Sequence, residues 1–380
     1  MSSPLSHQLA VDADAVRAAV TAARGHLVDR ELVAEVVTLC AVAKEHLLVI
    51  GPPGTAKSAA VRGIAQHLGG RYFEYLVGRF TEPNEIFGPV DLRSLREGVV
   101  SYETAGMLPQ AEIAFLDEVF QGSSAILNTL LGVLNERVFR RGSTVEPCPI
   151  RVCVGASNAL PTDPALAAFA DRFLARIHVQ PVPDSSLEDL LEQGWLATVE
   201  ADRTVPLMAA VDRLAGVAAA CDLGQVRPVL AAALRRLREA GIPLSDRRAV
   251  RSQRLIAAAA ALDGRAEATA ADLWVLPLVA PTAETQVLAR ETLSDLLKQS
   301  RNSTLGYAAE ELSLGMLARA ERLAAAGRKL LDGYAGVTLS RDDKLRLEAT
   351  LREIDSSFAE ADLPDALRDT RERLVTAVRA

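Results

Sequence analysis

The chain has 380 residues, a mass of 40.6 kDa, 49% hydrophobic side chains and a net charge of −7. That length and apolar content predict two or three domains with sizeable cores; the acidic balance argues against non-specific nucleic-acid binding as the main activity. No apolar run reaches the about 20 residues that span a bilayer, the N-terminus carries no basic-then-apolar leader, and Cys40, Cys148, Cys153 and Cys221 have neither metal-ligand spacing nor a disulfide pattern.

A cytoplasmic protein is therefore expected, with Cys40 and Cys153 as core thiols because both sit in apolar stretches. Residues 14–46 read as helical, with Val16, Ala19, Val20 and Ala23 on one face. The apolar run Leu47–Ile50 predicts a buried strand. It leads into Gly51, Pro52, Pro53, Gly54, Thr55 and Ala56, and then into a helix opened by Lys57, Ser58 and Ala59. A strand, a glycine-bearing loop and a helix grip a nucleoside triphosphate by turning backbone N–H groups and the helix N-terminus toward the phosphates. Lys57 is expected to reach the β- and γ-phosphates of ATP, and Ser58 to ligate Mg²⁺. Ala56 stands where a glycine usually precedes the lysine. The position is expected to open the helix at negative φ, where a methyl group is tolerated. The plain alternative is a Gly/Pro turn without a ligand.

Residues 47–182 alternate short apolar strands with helices, which predicts a parallel sheet covered on both faces. Within it, Asp91 to Glu103 reads as irregular or hairpin-like, with Gly98 at the turn. Val138 to Val145 reads as a second hairpin around Gly142. Either could touch a substrate or partner, or be a plain surface hairpin. Between them, Ile113–Asp117 is an apolar strand ending in carboxylates. Strand C-termini line the ligand crevice of a parallel sheet, so Asp117 could complete a Mg²⁺ shell and Glu118 could orient the attacking water. The alternative is a strand that ends in two surface acids. Ile150 to Asn158 is a third strand. Asn158 at its tip could hold the water or touch the γ-phosphate, or simply be a turn residue. Arg172 follows a short helical stretch. It could reach a nucleotide on a neighbouring subunit, or be a solvated residue paired with Asp171.

Residues 184–280 are almost entirely helical by pattern, and Val229–Arg238 is strongly amphipathic. Ser245 is a good N-cap for a helix bearing Arg247, Arg248, Arg251 and Arg254. Arg251 and Arg254 read as a solvated face, and Arg247 as the side chain nearest the γ-phosphate beneath a closing lid. Lys298 to Gly306 is polar and loop-like. Helices are expected at Ala308–Leu331, Ser340–Phe358 and Pro364–Arg379, as a small bundle or docked on the rest. Leu345, Leu347, Leu351, Ile354 and Phe358 could line an apolar face.

The order of P-loop, Asp-Glu strand end, Asn-tipped strand and Asp-Arg-Phe resembles the AAA+ ATPases. Arg79 to Val90, Gly106 to Glu118 and Ala125 to Arg137 resemble the MoxR branch, and Phe73 to Leu76 with Ser245 to Arg248 its RavA subfamily. The likeness covers about residues 15–280 and implies an α/β fold: an AAA+ P-loop core with a parallel sheet between helices (1–183), an all-α lid (184–285) and a C-terminal helical segment (286–380). It implies that Lys57 and Ser58 are the Walker A residues, Asp117 and Glu118 the Walker B metal and catalytic acids, and Asn158 the sensor 1 residue. Arg172 matches the arginine finger, Arg247 or its neighbour Arg248 the sensor 2 arginine, and Leu27 with Val28 the adenine-packing segment. An insert near residues 91–103 would face the axial surface of a ring.

The implied activity is Mg²⁺-dependent ATP hydrolysis by a homo-oligomeric ring, a hexamer, that remodels or metal-loads a protein client with a VWA-domain partner. The chain carries no Asp-x-Ser-x-Ser run, so it is not itself a VWA domain. No β-rich module like that of RavA-like proteins is expected within residues 286–380. A DNA-acting motor and a nucleotide-controlled assembly scaffold are the alternatives. The acidic balance weighs against the first, and Glu118, Asn158 and Arg172 together weigh against the second.

Overall fold

A computed structural model describes residues 4–25, 27–196, 206–334, 341–358 and 363–379. Two helices, α1 (Pro4–Arg24) and α2 (Glu31–Ala43), precede the first strand. The expected face is buried, with Val16 and Val20 fully enclosed. The single helix expected over 14–46 is divided, however: Asp29 takes a left-handed φ of 56°, and the chain turns there before α2 begins.

The sheet order is β2 (Tyr72–Leu76), β3 (Ile113–Asp117), β6 (Val152–Ser157), β1 (Leu47–Ile50) and β7 (Ala175–His178), all parallel. Strands β4 (Val138–Arg141) and β5 (Thr144–Pro147) form a separate antiparallel hairpin. Strands β1 and β6 are buried along their whole length, as central strands covered on both faces must be. Successive side chains point to opposite faces. Leu47, Val49, Ile113 and Phe115 therefore join one apolar cluster, while Leu48, Ile50, Ala114 and Leu116 join the other.

Helix α3 (Lys57–Leu68) follows β1 and ends on Gly69, whose φ of 70° makes the usual left-handed cap. Next come α4 (Pro83–Phe87) and α5 (Leu92–Arg96), the latter capped by the Asp91 carboxylate. The 91–103 segment thus begins as a capped helical turn and closes with an isolated antiparallel bridge, Val90 to Tyr102. It leans on the β4–β5 hairpin. The Ser143 N–H donates to Val100 O, and the Arg141 guanidinium lies 4.7 Å from the Tyr102 ring centroid. The two inserts are one surface unit.

Helix α6 (Ser124–Glu136) is capped by Ser123, and α7 (Pro164–Ala170) by Asp163 with proline in its first turn. Helices α8 (Leu187–Leu196), α9 (Met208–Ala219), α10 (Val226–Glu239) and α11 (Asp246–Leu262) follow; residues 197–205, part of the expected helical stretch, lie outside the described residues. Ser245 caps α11 as expected, accepting from the Arg248 N–H. Helices α12 (Ala283–Thr292), α13 (Ser294–Leu297) and α14 (Gly306–Leu314) contribute Ala289, Leu297 and Leu312 to the cluster that also holds α1, α2 and α11.

The helix expected over 308–331 breaks at Gly315 (φ 52°), which separates α14 from α15 (Met316–Gly333). Helices α15, α16 (Arg341–Ser357) and α17 (Asp365–Arg379) form a bundle with its own core around Ala324, Leu347, Ile354 and Leu367. Leu345, expected on that apolar face, is 49% exposed, because the helix turns it outward while Leu347 and Ile354 face in. Ser340, the expected start of the middle helix, lies outside the described residues.

Candidate functional site

The loop from Gly51 to Ala56 sits at the C-terminal end of β1, which lies between β6 and β7. That is the crevice edge of a parallel sheet. Gly51 has no alternative: a Cβ there would come within 2.3 Å of Val179 O. Pro52, Pro53 and Gly54 are exposed, with Gly54 at φ 76°. The Thr55 hydroxyl donates to Pro52 O at 2.9 Å and tightens the turn.

Ala56 departs from its expected negative φ. It is left-handed, at φ 56° and ψ 27°. The chain has to reverse between the loop and the first turn of α3, and glycine would do so without strain. A Cβ in this region costs about 1–2 kcal/mol. Ala56→Gly should therefore stabilise the fold by about 1 kcal/mol, read as a higher urea midpoint at unchanged slope. An unchanged or lower midpoint would show that the strain is relieved elsewhere.

Lys57 is buried, and its ammonium donates to Gly51 O at 2.9 Å and Pro52 O at 2.8 Å. Burial pushes its pKa below the ordinary lysine value. The charges of Asp117 and Glu118 oppose that shift, and Arg30 adds to it. Ser58 and Ala59 follow in the first turn of α3. Asp117 ends β3, and its Oδ1 accepts the Glu118 N–H at 3.0 Å. Glu118 is left-handed (φ 50°), which turns its side chain off the strand line. Its Oε1 accepts from Asn158 Nδ2 at 2.7 Å. Asn158 directly follows β6, the strand between β3 and β1. The lysine, the carboxylates and the amide thus meet at one edge of three adjacent strands.

Among the described residues no three His, Cys, Asp or Glu side chains gather as a metal cage. Mg²⁺ needs none, since one or two protein oxygens, phosphates and water complete its shell. The Ser58 hydroxyl and Asp117 carboxylate are the hard oxygen donors here.

Leu27 and Val28 lie in the loop between α1 and α2, Leu27 packed against the large core cluster and Val28 half-buried. Sequence reasoning missed the residue that ties this loop to the Gly51–Ala56 turn. The buried guanidinium of Arg30 donates to Thr55 O at 2.7 Å and Gln180 O at 2.6 Å. Its partners are 25 and 150 residues away, so no local pattern announces it.

The other arginines gather at the opposite edge. Arg172 precedes β7, whose Ala175 pairs with Leu47 at the start of β1. A four-residue strand separates that edge from the P-loop by roughly 13 Å. Arg172 does not pair with Asp171, which instead holds Arg248 at 3.1 Å. Among the described residues, the buried Arg172 Nε has no hydrogen-bond partner. Arg247 lies on the same edge, donating to Asn135 Oδ1 at 2.6 Å. Its pKa is lowered by burial and then by the charges of Arg172 and Arg251. Arg248 is enclosed and donates to Val279 O, Phe173 O and Leu174 O as well as Asp171. Arg251 is not on a solvated face: it and Arg254 both bind Glu45, a fully buried carboxylate, at 2.6 and 3.1 Å. Arg254 remains 57% exposed at the side chain.

Residues 14–216 match the family described as the MoxR domain in the MoxR-vWA-beta-propeller ternary systems, and residues 223–287 match an AAA lid domain. Two uncharacterised proteins of Methanocaldococcus jannaschii are 38% and 39% identical to the chain, each over 62% of its length. The matched stretch spans 63% and 62% of those relatives, under two thirds of their length. The chaperone MoxR1 of Mycobacterium tuberculosis is 27% identical over 49% of this chain and 50% of its own. A crystal structure described as a candidate ATPase from Cytophaga hutchinsonii superposes with a TM-score of 0.62 at 14% identity, covering 78% of this chain and 97% of that one. That likeness concerns the α/β fold. With the family match extending over more than half its length, the chain belongs to the MoxR family of AAA+ ATPases.

Proposed function

We propose that this chain is a Mg²⁺-dependent ATPase working in the cytoplasm as a homo-oligomeric ring, a hexamer, that remodels or metal-loads a protein client. The observation that carries this reading is the meeting of Lys57, Asp117, Glu118 and Asn158 at one sheet edge, with Asn158 already bonded to Glu118 at 2.7 Å. The backbone of residues 51–56 and the N-terminus of α3 cradle the phosphates of ATP. Lys57 exchanges its loop carbonyls for phosphate oxygens. Ser58 and Asp117 would hold Mg²⁺, which when bound draws charge from the β- and γ-phosphate oxygens. Glu118 accepts a proton from the attacking water and Asn158 holds that carboxylate in line. Leu27 and Val28 flank the adenine. A VWA-domain partner is supported by the family's description, and kinship with the RavA subfamily by the wording of Phe73–Leu76 and Ser245–Arg248. In this reading residues 1–183 are the nucleotide core and 184–285 the lid.

Arg172 and Arg247 lie at the wrong edge to serve their own P-loop, so both are assigned to the nucleotide of the next subunit. A head-to-tail contact repeated around a ring brings one protomer's edge to another's crevice. Arg172→Ala should bind ATP normally yet lose about 10³-fold in turnover. Mixing it with Lys57→Ala tests whether the arginine acts across the subunit contact. Roughly a quarter of random interfaces would then pair an intact P-loop with an intact arginine, and activity should return. Two inactive proteins that stay inactive when mixed, under conditions where they co-assemble, would refute the assignment.

A further inference from the structure

A second cavity lies outside the candidate ATP site, at the sheet edge that faces away from the P-loop. It measures about 490 Å³ and opens between the C-terminal ends of α2 and α9, the start of α10 and the middle of α11. Its charged lining is Lys44, Arg137, Arg227 and Arg254, and among the described residues that line it none is a carboxylate. The chain as a whole is acidic at −7, so this concentration of positive charge runs against its balance.

Two acids stand beside the lining: Asp222, between Cys221 and Leu223, accepts the Gly224 N–H, and Glu45 follows Lys44. Glu45 is fully buried and already shared between Arg251 and Arg254. Among the described residues, Arg227 and Arg137 have only neutral hydrogen-bond partners. Arg227 Nε donates to Gln253 Oε1 at 3.2 Å, and Arg137 donates to Ile150 O at 3.1 Å and Lys44 O at 2.5 Å. Like charges held together in a partly desolvated hollow repel. The Arg137 guanidinium feels this: burial lowers its pKa, and the charges of Arg254, Arg251 and Arg151 lower it further against the pull of Glu45. The rest of the lining is small and apolar, including Ala43, Ala215, Ala218 and Ala257.

We propose that this cavity is a second anion site, which takes a free phosphate-bearing small molecule between pyrophosphate and a nucleotide in size. Its volume falls in the range of small-ligand pockets, roughly 300–1,000 Å³. The phosphate oxygens would be held by the exposed Lys44, Arg227 and Arg254 at the mouth and the half-buried Arg137 behind them. Guanidinium forks match such oxygens better than point charges do. The assignment is independent of the ATPase reading, because none of these residues belongs to the P-loop or to the acids around it.

Cys221 lines the same cavity and is half-exposed, while Cys40, Cys148 and Cys153 are buried. Its reaction with an aromatic disulfide reagent therefore reports occupancy. The protein to use is the full chain carrying Lys57→Ala, without Mg²⁺, with inorganic pyrophosphate as the probe. Pyrophosphate should slow Cys221 by about fivefold or more, and calorimetry should detect binding that weakens as salt rises. Adding Lys44→Ala and Arg227→Gln should weaken binding by about tenfold or more and abolish the protection, with an unchanged unfolding midpoint in the absence of pyrophosphate. Arg227→Glu alone should do the same by charge reversal. Cys221 reactivity that ignores pyrophosphate, or protection that survives these substitutions, overturns the proposal. Loss of ATPase activity in Lys57→Ala bears only on the other site.

Discussion

Glu118→Gln should bind ATP as tightly as the unaltered chain and lose about 10²–10⁴-fold in turnover. The substitution keeps the size of the side chain and its hydrogen bond to Asn158, since the glutamine oxygen can still accept from Asn158 Nδ2. What it removes is the basic oxygen that takes the water's proton in the proposed mechanism. The left-handed backbone at Glu118 (φ 50°) is a cost retained at a candidate reacting position, where strain fixes the direction of a side chain. ATP binding by fluorescence and steady-state phosphate release separate the two effects. Equal loss of binding and turnover would mean that Glu118 shapes the pocket instead of activating water. Unchanged turnover would remove it from the mechanism. If the variant stalls with ATP bound, as the proposed mechanism expects, it is also the form in which a VWA-domain protein or a client should stay associated.

Arg248→Met should be the most destabilising single change in the helical region, on the order of 3 kcal/mol. The side chain is only 3% exposed and bridges α11 to three carbonyls and to Asp171. Removing it strands those acceptors, and buried polar groups without partners are costly. Methionine fills much of the volume, so the loss isolates the charge and its bonds from simple cavity formation. Urea unfolding without nucleotide is the measurement. A large drop in midpoint with normal ATP affinity per folded molecule identifies Arg248 as a structural latch between α11 and the start of β7. Normal stability with poor turnover would instead make it the nucleotide-sensing arginine and would displace Arg247 from that role.

These two cases show how differently the site was written in the chain. Lys57, Asp117, Glu118 and Asn158 each sit at the end of a short apolar run, and the apolar run itself says which strand and which end. Parallel pairing then brings those ends together whatever the details of packing. The arginines carry no such label. Arg247, Arg248, Arg251 and Arg254 lie within eight residues on one helix, and their fates differ completely. One bonds Asn135, one is enclosed by carbonyls, and two share a buried glutamate. Each outcome depends on a partner tens to hundreds of residues away.

By itself the sequence determined the elements whose cause is local: the buried strands, the Gly51–Ala56 turn, the Ser245 cap and the Gly142 hairpin. Their periodicity, caps and glycines act within a few residues. Only the tertiary structure decided the left-handed backbone of Ala56, the Arg30 tie between the α1–α2 loop and Thr55 O, and the contact of the two surface inserts through Arg141 and Tyr102. It also decided that α12–α14 share a core with α1 and α11 while α15–α17 enclose their own. These features arise from long-range closure. A side chain's partner, or a backbone's sign of φ, is set by what the rest of the fold delivers to that point in space, and no window along the chain contains that information.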